Sequence, residues 1–390
     1  MKKIKVCAAT PNITVADPKA NAKEIIRISK NAGKKGAKLI VFPELSLTGC
    51  TCGDLFFQDS LLQSAMDNLE VIAEKTKDIK AAIVFGMPAL IDDELFNVAA
   101  VLFKGKLCGF SVKHNTYWDA FGDEIRWFRY RLRGKVKKID FLPFDLKNKS
   151  GRIIADTIKS VNLEVSEDLR VDLKRQLGFT LGVGIGNDGY GRYFGSAYQG
   201  EEVDIVAHLG ARRKVVDEDN TYFVQNVAYD SNAPVVYAEA GDGESSTDFV
   251  FAGESEIASE YTVYKKSTPF KNQTIFADVD IDEKKDALVR NMYGETIAKS
   301  EEKPSNHKAL DIVMLDGDDL YSVPAGGFIK NQFMPEEKRD RDKMCRNILK
   351  IQAKALAQRM KAIGTDKLVL GISGGLDSTL ALIACVNACD

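Results

Sequence analysis

Three short stretches of this 390-residue chain carry residues whose types and spacing could do chemistry. The first is LIVFPE, residues 39–44, where Glu44 stands just past an apolar run suited to a buried strand. Carboxyl edges of sheets are where clefts form in α/β folds, and partial burial there would lift a carboxyl group toward the range of a general base. By itself, a glutamate after a strand is a solvated loop residue. The second stretch is TLGVGIGNDGYG, residues 180–191, in which Gly184, Gly186 and Gly189 satisfy the G-x-G-x-x-G spacing of dinucleotide-binding loops. A dinucleotide unit also needs an acidic residue at the end of the next strand. Here the next strand, VDIVAHLG, ends near His208 and runs on into Arg212 and Arg213, so the context argues against that reading. The third is KLVLGISGGLDSTLA, residues 367–381, which reads as strand, glycine-rich turn and helix start. Unpaired backbone N–H groups and the positive end of a helix dipole converge on a phosphate at such places. Gly371, Gly374 and Gly375 line this turn, Ser373 and Ser378 add hydroxyl donors, and Asp377 stands between them. The spacing of a Walker A loop is absent from the stretch.

The elements needed to position these residues follow from the hydrophobic pattern. KIKVCAAT, AKLIVFPE and AAIVFGMPAL read as strands, and NVAAVLFKGKLCGFSVK as a hairpin turning at Gly105. Between them, DPKANAKEIIRISKNAGKKG reads as an amphipathic helix with Asp17 as N-cap and Pro18 at its first position. SLLQSAMDNLEVIAEKTKD is a second helix. Further strands are expected at FTLGVGIG, VDIVAHLG, PVVYAEAG, FVFAGES, TVYKKS and TIFADVD, followed by a helix over DEKKDALVRNMYGE. Roughly ten strands with interleaved helices make one large α/β layer domain. Residues 301–334 are polar, acidic and turn-rich, and read as a linker. A long helix follows, with Cys345, Leu349, Ala353, Leu356, Met360 and Ile363 on one apolar stripe and Gly364 placed to end it.

Composition narrows the function classes. Charged residues make up 28% and the net charge is −2, so no broad footprint for nucleic acid is expected. The basic stretch RWFRYRLRGKVKK, residues 126–138, lacks any accompanying nucleic-acid motif and reads as a solvated face. No apolar run approaches the roughly 20 residues needed to span a bilayer. Seven cysteines without zinc-like pairing suit a reduced, cytoplasmic protein.

SGGLDS resembles the PP-loop of ATP pyrophosphatases, which split ATP into AMP and pyrophosphate while adenylating a substrate. With the preceding helix it resembles the start of the synthetase domain of NAD+ synthetases. LIVFPELSLTGCTCGDLFF (39–57) resembles the nitrilase superfamily, and more narrowly the glutaminase domain of glutamine-dependent NAD+ synthetase. SVKHNTYWDAFGDEIRWF (111–128) resembles that family's next motif, with Lys113, Glu124, Arg126 and Phe128 at its offsets. SAYQGEEVDIVAHLGARR (196–213) and AGDGESSTDFVFAGES (240–255) resemble two further segments, in the family's order. The resemblance implies a nitrilase-like α-β-β-α sandwich over 1–300, followed over 335–390 by the first strand, loop and helix of a second α/β domain of the adenine nucleotide α-hydrolase type. It also implies a homo-oligomer.

The chemistry that the resemblance implies is amide hydrolysis coupled to ligation. A cysteine thiolate attacks the glutamine amide, giving a thioester and ammonia. Glu44 would be the general base, Lys113 the oxyanion stabiliser and Glu124 a supporting residue. Ammonia would then convert nicotinate adenine dinucleotide, activated by ATP with magnesium, to NAD, with Gly371, Ser373, Gly374, Gly375, Asp377 and Ser378 holding ATP. One departure stands out: Gly186 occupies the position of the family's cysteine, and no cysteine lies between 109 and 344 to replace it. The turn after the next strand is HLGARR where the family has a small serine-containing turn. Three readings follow: a synthetase-type chain with an inactive glutaminase-like domain using free ammonia, a structural or regulatory nitrilase-like module, or a displaced nucleophile at Cys50, Cys52 or Cys108. Cys52 and Cys108 are expected to be packed as free thiols.

Overall fold

A computed structural model of the chain describes residues 3–91, 93–114, 124–129, 136–139, 163–166, 169–186, 203–216, 219–282 and 333–390. Its strands are β1 (Lys3–Ala9), β2 (Leu39–Val41), β3 (Ala82–Ile91), β4 (Glu94–Phe103), β5 (Lys106–Val112), β6 (Val136–Ile139), β7 (Leu163–Ser166), β8 (Arg170–Asp172), β9 (Thr180–Ile185), β10 (Ile205–Gly210), β11 (Val235–Glu239), β12 (Glu256–Ala258), β13 (Val263–Lys266) and β14 (Thr274–Asp280). Its helices are α1 (Pro18–Lys34), α2 (Asp59–Thr76), the single turn α3 (Glu124–Trp127), α4 (Asn220–Ser231), α5 (Lys338–Ile363) and α6 (Leu376–Cys389).

The strands form two mixed sheets, ordered β14-β1-β2-β3-β4-β5-β7-β6 and β13-β12-β11-β10-β9-β8. Side chains alternate across a strand, so an unbroken apolar run means that both faces are covered. In β1 to β3, Val6, Val41 and Val84 point one way and meet Leu181, Val183, Leu209 and Val236 of the second sheet. Their neighbours Cys7, Ile40, Ile83 and Phe85 point the other way and pack under Ile25 and Ile28 of α1 and Leu69 and Ile72 of α2. On the far side, Phe223, Val224 and Val227 of α4 cover Val206, Val235 and Tyr237. The result is the expected α-β-β-α sandwich. Its first helix starts as the sequence indicates, with the Asp17 side chain accepting a hydrogen bond from the Ala20 N–H at 2.9 Å. The β4–β5 hairpin turns through Lys104 and Gly105, both at positive φ (49° and 74°), as a two-residue hairpin turn of the primed type requires.

Several expectations are corrected. FVFAGES forms no strand: Phe251 makes one isolated bridge to Arg213, and the ladder begins only at β12. KLVLGI also forms no strand. Ile372 is 55% exposed, and no described strand lies beside the segment to complete a ladder. The strand number exceeds the expected ten because of short strands such as β7 and β8, which carry no strong apolar pattern. The helix expected over DEKKDALVRNMYGE, nearly all of 301–334 and much of the basic stretch lie outside the described residues.

The helix α5 ends at Gly364 as expected, but only Ala353 and Met360 of its stripe are buried, and Ile363 is 72% exposed. It leans on the sandwich along a narrow line: the Ser246 hydroxyl donates to the Ala355 carbonyl (2.7 Å), Arg359 donates to Thr247 Oγ1 (2.8 Å), and Lys350 sits over the Phe270 ring. No helix among the described residues is long and apolar enough to cross a membrane.

Candidate functional site

Three strand ends deliver the candidate residues to one place. Glu44 lies in the turn after β2, which is clamped against β3: Gly86 N–H donates to the Pro43 carbonyl (3.1 Å) and Leu47 N–H to the Gly86 carbonyl (3.0 Å). A Cβ on Gly86 would stand 2.1 Å from the Leu45 nitrogen and 2.7 Å from Glu44 Cα, so only glycine lets the turn pass this close. Leu45 itself has φ +49°, a strained value of the kind that functional turns retain. Lys113 follows β5, and its N–H extends the pairing with β4 by donating to the Asn97 carbonyl (2.9 Å). Glu124 comes from α3, which is pinned from outside. Arg126 donates twice to the Asp54 carboxylate (2.8 and 3.0 Å), Trp127 Nε1 donates to the same group (2.9 Å), and Phe128 packs edge-on against Phe56. Arg126 and Phe128 therefore anchor Glu124 from outside the cluster.

The side chains close a ring. Lys113 Nζ donates to Glu44 Oε1 (2.8 Å) and Glu124 Oε2 (2.5 Å). The Asn97 amide donates to Glu44 Oε1 (2.6 Å) and Glu124 Oε1 (2.8 Å). Glu44 and Lys113 are each 4% exposed and Asn97 is 1% exposed. Gly186 stands just after β9 with φ +56°. A Cβ there would lie 2.6 Å from Lys113 Cε, 2.8 Å from its Nζ and 3.0 Å from Glu44 Oε2. The structure thus brings Glu44, Lys113, Glu124 and Gly186 together. A side chain at residue 186 would project into the ring, and its space is taken by the end of Lys113.

Asn97 and His208 complete the surroundings, and the sequence reading did not single them out as site residues. Asn97 is the lone amide within an apolar strand. His208 Nε2 bonds to the Gly186 carbonyl (2.9 Å), with the rings of Phe223 and Tyr237 against it. Burial pushes the His208 imidazole down to about 4, against the bond to Gly186, which favours the charged form. Its folded pKa lies below the unfolded value of 6.5, so its stabilising contribution is complete above that pH and is lost as pH falls toward 4. The loss should reach roughly 3 kcal/mol. Urea unfolding of His208→Gln, measured between these pH values, should lack that component of the decline. An identical decline in both proteins would refute this assignment.

Burial acts against the thiolate at the candidate cysteines Cys50, Cys52 and Cys108. Burial, then the Glu244 and Glu44 carboxylates, push the Cys50 thiol well above its ordinary value. Burial raises Cys52 to about 12 and Cys108 to about 11. A thiolate, the reactive form, is disfavoured at all three. Cys50 instead forms part of a tie, since Glu244 accepts hydrogen bonds from the Cys50 N–H (2.8 Å) and the Thr51 hydroxyl (2.6 Å).

The departure at HLGARR has a local explanation. Arg212 N–H donates to Glu239 Oε1 (2.8 Å), its guanidinium donates to Asn220 Oδ1 (2.8 Å), and Asn220 Nδ2 also bonds to Glu239. Burial raises Glu239 to about 8, partly opposed by the Arg212 charge. Arg212 is thereby engaged in packing α4 onto β11. The loop at Ser373–Ser378 is exposed and leads into α6, which has no buried residue. Gly375 caps α6 without a side-chain hydrogen bond, and the Ser373 and Ser378 hydroxyls are 3.3 Å apart.

Known proteins resemble this chain in sequence and in fold. The family model for carbon-nitrogen hydrolase matches residues 5–286, and that for NAD synthase matches residues 348–390. The chain is 27% identical over 398 residues to glutamine-dependent NAD(+) synthetase from Mycobacterium tuberculosis, covering 99% of this chain and 55% of that protein. It spans a little over half the length of such relatives. In fold it is similar to a glutamine-dependent NAD(+) synthetase from Cytophaga hutchinsonii (TM-score 0.69, 18% identity, covering 99% of this chain and 52% of that one). It is also similar to a nitrilase-superfamily amidase from Nesterenkonia AN1 (TM-score 0.54, 17% identity, covering 74% and 97%). From the match over residues 5–286, the chain belongs to the carbon-nitrogen hydrolase family.

Proposed function

We propose that this chain is of the glutamine-dependent NAD+ synthetase type and that its glutaminase-like site lacks a nucleophile. In this reading residues 1–300 form the amide-hydrolase-like domain, 301–334 the linker and 335–390 the start of the ligase domain, in a cytoplasmic protein. The observation that carries it is Gly186: the residue aimed at Glu44 and Lys113 has no side chain, and the ammonium end of Lys113 fills the space. Glu44 can take a proton and Lys113 can steady an oxyanion, but without a thiol no thioester forms. Ammonia for the amidation of nicotinate adenine dinucleotide would then arrive free rather than from glutamine.

The Ser373–Ser378 loop fits a phosphate group. The first N–H groups of α6 have no side-chain cap, and Ser373 and Ser378 offer hydroxyls beside them. Gly371, Ser373, Gly374, Gly375, Asp377 and Ser378 would hold ATP, which when bound activates the acceptor carboxylate as an adenylate. No cluster of three metal-ligating side chains occurs among the described residues, and magnesium is given no site. Adding ATP to the purified chain should raise the unfolding temperature, and the Ser373→Ala/Ser378→Ala double variant should lose that shift. An equal shift in both would refute the loop assignment.

A second reading, a structural or regulatory module, is favoured by the docking of α5 on Ser246 and Thr247, which needs no hydrolysis. A thermal shift with glutamine, absent under this second reading, separates it from a site that still binds the amide.

A further inference from the structure

We propose that Asn97 is a positioning residue that fixes which oxygen of Glu44 faces residue 186. The inference rests on the reading of the Glu44–Lys113 cluster as an amide-hydrolase site. A carboxylate can turn about its last bond, and two carboxylates beside one ammonium leave several arrangements open. Here one amide removes that freedom. Its two hydrogens go to Glu44 Oε1 and Glu124 Oε1, at 2.6 and 2.8 Å. Lys113 adds hydrogen bonds to Glu44 Oε1 and Glu124 Oε2, at 2.8 and 2.5 Å. Glu44 Oε1 therefore accepts from both donors, and Oε2 is the oxygen presented to residue 186, 3.0 Å from where its Cβ would stand. Asn97 is 1% exposed and sits within the β3–β4–β5 ladder, where its backbone carbonyl accepts the Lys113 backbone N–H at 2.9 Å. A leucine at this position would match it in size but offer no hydrogens, leaving Lys113 to hold one oxygen of each carboxylate without the second donor that fixes its rotation. An aspartate would add a third negative group to the ring.

The test gives the site back a reporter. In the full chain carrying Gly186→Cys, iodoacetamide is added and labelling of position 186 is followed by peptide mass spectrometry across pH. In this reaction the sulfur forms a bond to carbon, the carbon–iodine bond breaks and iodide leaves, and the thiol proton passes to Glu44. Adding Asn97→Leu should slow labelling about tenfold or more and move the midpoint of its pH–rate profile, because a loosened base misses its geometry. Asn97→Gln, which keeps the amide, should recover part of the rate. An unchanged rate and profile with Asn97→Leu would overturn the inference while leaving the site assignment intact. A Gly186→Cys thiol that labels no faster in the presence of Glu44 than with Glu44→Gln would instead overturn the reading of the site.

Should Gly186→Cys fail to fold, the unaltered chain and Asn97→Leu are compared by acid unfolding. Lys113 touches both carboxylates, each carboxylate stands across the Asn97 amide from the other, and the Glu44 charge also acts on Cys50 and Tyr237, as the Lys113 charge does on His208. Hydrogen bonds to a carboxylate favour its charged form, so their loss should cost more stability at neutral pH than at acid pH, where the carboxylates are protonated in both proteins. A uniform loss of stability at every pH, as simple repacking would give, overturns the proposal.

Discussion

Lys113→Met is expected to destabilise the fold by roughly 3–5 kcal/mol, the range found when one partner of a buried ion pair is removed. The reason lies in what remains. Glu44 and Glu124 would keep two carboxylates in a site where side-chain exposure is 5% and 12%, bridged by the Asn97 amide but without the ammonium between them. Such a pair either repels or takes up a proton. Adding Glu44→Gln to Lys113→Met should therefore recover much of the loss, and urea unfolding of the four proteins of this cycle measures the coupling. A Lys113→Met cost below about 1 kcal/mol would match an exposed pair and contradict the closed ring.

Gly186→Ala is the second large effect. A left-handed φ costs a residue bearing a Cβ about 1–2 kcal/mol. The new methyl group would also meet Lys113 Cε at 2.6 Å, adding about 1–3 kcal/mol of overpacking unless the flexible ammonium end moves away from Glu44. The two contributions can be told apart. With Lys113 shortened by Lys113→Ala, the crowding vanishes and only the backbone cost remains, so the two substitutions should be strongly non-additive in a double-mutant cycle. Additive costs would place residue 186 away from Lys113.

Much of this arrangement can be read from residue types. Apolar runs such as AKLIVFPE announce strands covered on both faces, and Glu44, Lys113 and Gly186 each stand immediately beyond one. What the sequence leaves out is contact across distance. Asn97 reaches partners 53 and 27 residues away, and a lone amide in an apolar strand does not by itself say which partners it meets. Gly86 looks like any strand glycine until the Glu44 turn is seen against it. FVFAGES and KLVLGI mislead for one physical reason: an apolar run becomes a strand only where a neighbour supplies ladder partners. Phe251 finds a single bridge, and KLVLGI finds none among the described strands. The stripe on α5 misleads differently, since a helix resting on a loop edge buries two of its positions rather than a whole face.

The central claim is that an intact base and lysine surround an absent nucleophile. It is tested most directly by incubating the unaltered chain with glutamine and measuring glutamate released, beside the Glu44→Gln variant. No release above the spontaneous rate is expected, identical in the two proteins, since burial disfavours the thiolate at Cys50, Cys52 and Cys108 and residue 186 offers no thiol. Glutamate release that is abolished by Glu44→Gln would contradict it.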